Sequence, residues 1–260
     1  MTGRIKSLFW KLNWFLKNYR NLGANNILIP NNFLGPIKFS SDSVATSNNA
    51  DFLEEPRFKK AYALAKATSP WKGFEMQWRT YIVCTLAEMV KHLPGDFVEC
   101  GVNTGAYSRA VIDYIDFNVT GKTFYLFDTY EGLVPDQITE AERKSGVGDY
   151  LLTYTNVYEQ VVKTFAPFNT KIIKGMVPDT LPFCTADKIC YLSIDMNVVA
   201  PEIAAAHYFW DKLVSGAVMI LDDYGFPAHI AQKNAFDKFA KEKSVPLLYL
   251  PTGQAIIFKP

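Results

Sequence analysis

Three aspartates carry the strongest chemical signal in this 260-residue chain: Asp195 and the adjacent pair Asp222-Asp223. Each follows an apolar run, residues 190–194 and 217–221, that reads as a buried strand. If the two strands are parallel neighbours, the three carboxylates meet at one C-terminal rim, where ligand sites of open α/β sheets lie. Like charges gathered there repel unless a cation compensates them. A hard divalent ion with oxygen ligands answers that need, and Mg²⁺ fits best. Such an ion lowers the pKa of a bound hydroxyl, which makes Asp195 a candidate catalytic residue as well as a metal ligand. In the competing reading one Asp caps the Tyr224-Gly225 turn and another faces solvent.

A second motif, Val98-Glu99-Cys100-Gly101-Val102-Asn103-Thr104-Gly105, lies where a buried strand hands over to a helix. Gly101 and Gly105 permit positive φ and a close backbone approach. With Asn103 they form a turn able to wrap a ligand. The dinucleotide fingerprint GxGxxG would need glycine where Asn103 and Ala106 stand. Glu99, two residues before the first glycine, neutralises an ammonium group and repels a pyrophosphate. A third motif, Tyr125-Leu126-Phe127-Asp128-Thr129-Tyr130-Glu131-Gly132, ends the following strand on Asp128. A carboxylate there can accept both ribose hydroxyls of a bound nucleoside.

These residues need a frame that brings strand ends together. Strands are expected at 96–100, 122–127, 171–174, 189–194, 217–221, 246–250 and 255–258. Helices are expected at 57–68, 74–93, 106–115, 156–165, 201–214 and 231–243. Strand–helix alternation gives a mostly parallel α/β sheet, and the last two strands, separated by Pro251-Thr252-Gly253-Gln254, add an antiparallel C-terminal hairpin. That layout is the Rossmann-like sheet of class I methyltransferases. Glu99 then meets the methionine amino group of S-adenosylmethionine, and Asp128 its ribose.

Ahead of the sheet, Ile5, Leu8, Phe9, Leu12, Phe15 and Leu16 follow helical spacing, surrounded by Arg4, Lys6, Lys11, Lys17 and Arg20. This basic amphipathic helix, with Trp10 and Trp14, suits a docked arm, a subunit contact or a membrane interface. Asn, Ser, Pro and Gly dominate residues 21–56, an arm or lid. The expected division is residues 1–70 for the N-terminal helix and arm, and 71–260 for the methyltransferase domain.

Composition excludes several classes. Lys plus Arg number 27 against 26 Asp plus Glu, so no global charge draws nucleic acid. Hydrophobic residues at 49% and charged residues at 20% exclude wholesale disorder. No run reaches the length of a membrane span. Cys84, Cys100, Cys184 and Cys190 form no CxxC pair and lie in apolar runs, as reduced core residues of a cytoplasmic protein do.

The chain resembles the macrocin O-methyltransferase family from about Phe74 to the C-terminus. The carriers are Gly95-Asp96-Phe97-Val98-Glu99-Cys100-Gly101-Val102, Leu126-Phe127-Asp128-Thr129-Tyr130-Glu131-Gly132-Leu133, Asp179-Thr180-Leu181-Pro182, Ile194-Asp195 and Leu221-Asp222-Asp223-Tyr224-Gly225. The resemblance implies S-adenosylmethionine as methyl donor, Mg²⁺, and transfer to a sugar hydroxyl. It matches Asp195, Asp222 and Asp223 to metal ligands, Glu99 and Asp128 to cofactor carboxylates, and Gly175 and Met176 to the segment beside the adenine.

The chain departs from the family where a Leu-Tyr-Glu-Ser run is usual and Met196-Asn197-Val198-Val199-Ala200-Pro201-Glu202 stands instead. That segment faces the acceptor. Residues 134–150 hold no histidine to serve as base, so His229, six residues past Asp223, is the nearest candidate; its competing reading is a surface histidine opening a helix. The expected function is Mg²⁺-assisted O-methylation of a sugar or glycosylated small molecule. An NAD(P)-dependent oxidoreductase and a non-catalytic cofactor-binding scaffold are the alternatives.

Overall fold

The computed structural model describes residues 35–70, 74–148 and 157–260. The expected N-terminal amphipathic helix, residues 1–20, lies outside them, as does its arm to residue 34. The chain divides into two compact units, Met1–Leu53 and Glu54–Pro260. In the first, strands β1 (Phe39–Ser41) and β2 (Val44–Thr46) form a short antiparallel pair.

The second unit begins 17 residues before the expected boundary at 71. It takes in helix α1 (Pro56–Ala67), which lies within the expected N-terminal division 1–70. Its first turn is fixed locally: Pro56 stands at the helix start, and the Glu55 carboxylate accepts from the amides of Arg57 and Phe58. Phe58, Ala61, Tyr62 and Ala65 give it a buried face at helical spacing. That apolar stripe has to be covered, which ties α1 to the sheet unit.

The remaining elements alternate as the spacing predicts. They are α2 (Gln77–Val90), β3 (Asp96–Cys100), α3 (Ala106–Tyr114), β4 (Phe124–Asp128), α4 (Glu140–Lys144), α5 (Tyr158–Phe165), β5 (Thr170–Lys174), β6 (Ile189–Ile194), α6 (Val199–Trp210), β7 (Leu213–Leu221), α7 (Ile230–Glu242), β8 (Leu248–Tyr249) and β9 (Ala255–Phe258). The sheet order is β5-β4-β3-β6-β7-β9-β8. The first five strands are parallel, and β9 runs antiparallel to both β7 and β8. Two differences are local. The expected strand 246–250 shrinks to two exposed residues at the sheet edge, and the expected helix 201–214 ends at Trp210 because β7 already starts at Leu213.

Side chains alternate across the sheet. Phe97, Phe124, Leu126, Tyr191, Val218 and Ile220 join one core with α1, α2, α3 and α5. Val98, Cys100, Tyr125, Phe127, Leu192 and Met219 join the other with α6 and α7. Both faces of the sheet are covered, which explains the continuous apolar runs of the central strands. The chain leaves β3 and β6 towards opposite faces. Between the C-terminal ends of these adjacent strands a crevice opens.

Candidate functional site

A cavity of about 230 Å³ lies at this crevice, bounded by Glu99, Gly101, Val102, Asn103, Ala106, Tyr107, Asp128, Asp195, Asn197, Asp222, Asp223, and by Pro70, Met76 and Arg79. Strand register explains why these residues meet. Cys100 at the end of β3 pairs with Phe127 of β4 and Ile194 of β6, and Ile194 pairs with Leu221 of β7. Four consecutive strand ends therefore present Glu99, Asp128, Asp195 and Asp222 along one rim.

The three aspartates converge as expected. One carboxylate oxygen from each of Asp195, Asp222 and Asp223 lies within 4.8 Å of the other two. Burial pushes the Asp195 carboxyl well above the usual range, and the charges of Asp222 and Asp223 push it further. Two Mg–O bonds of about 2.1 Å span at most about 4.2 Å. The three oxygens need draw in by only about half an ångström to share such an ion. A set of hard oxygen donors, mutually repelling and poorly hydrated, suits it.

Glu99 is buried beneath the cavity, with Ser108 Oγ donating to its carboxylate. Burial pushes its pKa up to about 8, assisted by Asp128 and Asp222. An ammonium group in the cavity would restore the charge. Asn103, at φ +52, carries a buried Oδ1 with no hydrogen-bond partner. Such an orphaned acceptor is costly without a ligand donor. Together Glu99 and Asn103 fit the ammonium end of S-adenosylmethionine.

Asp128 stands at the cavity wall with both carboxylate oxygens already engaged by backbone amides. Its Oδ2 accepts from the amides of Val102 (2.7 Å) and Asn103 (2.8 Å), and its Oδ1 from the Tyr130 amide (2.6 Å). It lines the cavity and at the same time knits the turn after β3 to the turn after β4. A ribose contact would be added to that structural work.

The glycines divide by role. Gly101 lines the cavity, yet a Cβ there would stand 1.9 Å from the Asp195 carbonyl oxygen, so the approach of β3 to β6 itself demands glycine. Gly105 opens α3 at φ +87 and bounds neither cavity. A Cβ on it would stand 2.3 Å from the Phe165 ring, so packing by itself demands glycine there. Gly175 lines a second, narrower cavity of about 50 Å³ with Gly101, Asp128, Leu133, Val134 and Val177, beside the first. Met176 does not: it is 43% exposed, and Val177 takes the lining position.

His229 bounds neither cavity. Its Nε2 lies 3.8 Å from Asp223 Oδ2, and its buried Nδ1 has no partner. The structure thus places the candidate base His229 beside the rim carboxylate Asp223.

Sequence reasoning missed four participants. Arg79 of α2 sends Nη1 to 2.6 Å from Asp222 Oδ2 and 3.6 Å from Asp223 Oδ1. Gln254, in the turn before β9, donates to Asp222 Oδ1 at 2.9 Å. Glu202 of α6 accepts from the amides of Met196 and Asn197, both at 2.9 Å, and so sets the loop behind Asp195. Its burial raises its pKa to about 8. Glu142 of α4 accepts from the Val199 amide at 2.8 Å, capping α6 from the segment that carries Leu133, Val134 and Gln137 over the narrower cavity. A signal existed for two of them. Arg79 shares the helical face of Val83, Leu86 and Val90, and Glu202 that of Ala205, Ala206 and Phe209.

The model of the macrocin-O-methyltransferase (TylF) family matches residues 75–248. Among solved structures, the O-methyltransferase NovP is 21% identical, with a TM-score of 0.60 over 70% of this chain and 79% of that one. CalS11, a calicheamicin methyltransferase, is 15% identical, with a TM-score of 0.59 over 82% and 94%; its apo structure is described as a TDP-rhamnose 3′-O-methyltransferase. An O-methyltransferase from Bacillus cereus, solved with S-adenosylhomocysteine, is 10% identical, with a TM-score of 0.51 over 80% and 96%. At these identities the likeness speaks for the fold. No curated protein matches the sequence significantly.

Proposed function

Since the chain belongs to the macrocin-O-methyltransferase family, we propose that it transfers a methyl group from S-adenosylmethionine to a hydroxyl of a sugar or glycosylated small molecule, with Mg²⁺ at the acidic rim. One observation carries this reading. A single cavity holds Glu99 and Asn103 for an ammonium-bearing cofactor on one side and Asp195, Asp222 and Asp223 on the other. The sugar acceptor is supported by CalS11, which acts on a rhamnose. The dinucleotide alternative loses ground here, because buried Glu99 lies where a pyrophosphate would need a donor. The family match selects an O-methyltransferase over a silent scaffold.

Bound S-adenosylmethionine supplies an electrophilic methyl group, and bound Mg²⁺ a positive charge that acidifies a hydroxyl. The protein's part is alignment and proton management. Glu99 and Asn103 would hold the amino acid end of the donor. Asp128 fixes the Val102 and Asn103 amides and so shapes that pocket. Asp195, Asp222 and Asp223 would hold the metal and orient the acceptor oxygen for in-line attack. Glu202 keeps Asp195 at the rim by pinning the two amides that follow it. The segment 133–148 would exclude water from the adenine side.

The test is methyl transfer from labelled S-adenosylmethionine to a panel of glycosides and nucleotide-linked sugars, read by mass spectrometry. Asp195→Asn should lose turnover by more than 100-fold while its calorimetric affinity for S-adenosylhomocysteine stays within about threefold. EDTA should imitate that variant and Mg²⁺ restore the wild type. Full turnover in EDTA would overturn the metal assignment, and release of S-adenosylhomocysteine only with non-sugar acceptors would overturn the sugar. The basic N-terminal segment, residues 1–20, we assign to a sister subunit or an anionic membrane surface. Four buried, unpaired thiols accord with a reducing, cytoplasmic setting.

A further inference from the structure

The acidic rim is not bare. Five carboxylates line the larger cavity, and Arg79 is the one basic side chain among its lining residues. Arg79 is itself buried, with 9% of its side chain exposed, and its guanidinium lies 4.9 Å from the Phe226 ring centroid. It donates to Asp222 Oδ2 at 2.6 Å and stands 3.6 Å from Asp223 Oδ1. Asp222 is held from its other side by Gln254, and Tyr107 Oη lies 3.4 Å from Oδ2.

This placement has an electrostatic consequence. With Asp195, Asp222 and Asp223 all ionised around a bound cation, they and the one guanidinium would leave two net negative charges, the complement of one divalent ion. The planar guanidinium cannot give up its charge in a protein. It holds Asp222 in one orientation, and it opposes any cation approaching the same two carboxylates. Ligating carboxylates are commonly oriented by a second hydrogen-bonding partner, but a fixed positive charge in that place is a different matter from a neutral one.

We propose that Arg79 is a positioning residue of the rim and its resident counter-cation: it orients Asp222 and, by its fixed charge, keeps the divalent metal weakly bound and exchangeable. The proposal rests on the metal reading above and adds to it the residue that sets metal affinity. Arg79 would thereby keep the rim carboxylates able to release the ion they would hold.

The experiment is Mn²⁺ binding to the full chain, followed by the electron paramagnetic resonance signal of free Mn²⁺, which reads affinity without turnover. Arg79→Gln removes the charge and should bind Mn²⁺ at least tenfold more tightly than wild type. Arg79→Lys keeps a charge in the same place and should stay within about threefold of wild type. It also carries the test should the glutamine variant fail to fold, since a tenfold gain in the lysine variant would overturn the proposal. Asp195→Asn is the control and should lose Mn²⁺ binding. If wild type binds Mn²⁺ and Arg79→Gln binds it equally or more weakly, Arg79 is a structural residue only and the metal reading stands. If neither binds in millimolar Mn²⁺, both readings fall.

Discussion

Glu99 is only 2% exposed, and its pKa of about 8 stands above the ordinary 4.5 because burial opposes the charged form. The unfolded chain therefore releases this proton first. The cost is absent below about pH 4.5, grows as pH rises, and levels off above about 8. Glu99→Gln should accordingly be more stable than wild type at pH 8.5, by an amount on the order of 3–5 kcal/mol. The gain should vanish near pH 4, as thermal melts across pH would show. The same variant should bind S-adenosylhomocysteine more weakly by roughly 1.5–3 kcal/mol, because a charge-assisted hydrogen bond is lost. A variant stabilised at high pH and weakened in binding has the signature of a charge kept for a ligand. Unchanged affinity would remove Glu99 from the cofactor site.

Two junctions between elements carry the site. At the first, β3 passes so close to the end of β6 that Gly101 has no room for a side chain. Gly101→Ala should cost more than about 3 kcal/mol in chemical denaturation, since both the backbone conformation at φ +92 and the clash with Asp195 resist it. A fully stable Gly101→Ala would show that β3 and β6 can part. At the second, Glu142 joins the segment over the narrower cavity to the start of α6. Its Oε2 accepts from Thr139, completing a capping box, while its Oε1 caps Val199. The helix dipole of α6 favours a negative charge there. Glu142→Ala should lose about 1–2 kcal/mol of stability. It should also speed protease cleavage within residues 133–148 and raise the dissociation rate of S-adenosylhomocysteine. Loss of stability without faster release would confine Glu142 to capping.

Over the whole molecule, both sheet faces are covered and the thiols disappear with them. Burial pushes the Cys84, Cys100, Cys184 and Cys190 thiols up, Cys190 to about 12. Thiols held protonated and inaccessible are poor nucleophiles. Iodoacetamide at pH 8 should leave the native protein unlabelled over an hour and add four labels once it is denatured. A fast single label in the native state would reveal an opening that the fold does not suggest. No helix among the described residues is long and apolar enough to cross a membrane. For the basic N-terminal segment proposed above to bind a membrane or a sister subunit, deleting residues 1–20 should abolish co-pelleting with anionic liposomes or halve the sedimentation mass. If neither changes, that segment is a passive arm.

Most of the sheet was legible in the sequence because its determinants are local. The apolar runs at 97–100, 124–127 and 189–194, interrupted only by Glu99 and Ser193, name strands buried on both faces, and the spacing in α1, α3 and α7 names helices. The rim aspartates were legible for the same reason: a strand end is a position along the chain, and parallel neighbours align their ends. What lay beyond the sequence are the partners supplied from elsewhere. Arg79 and Asp222 stand 143 residues apart, and Glu142 and Val199 stand 57 apart. An arginine on a helix reads as a solvated charge until packing shows which face is covered. Glycine could be read as flexibility for a ligand at both Gly101 and Gly105, while only the tertiary structure shows a carbonyl behind one and a phenyl ring behind the other. Periodicity fixes which faces are apolar and where strands end; which charge is set against which is decided by the packing of layers, where burial makes each unpaired charge costly and each long-range partner matter.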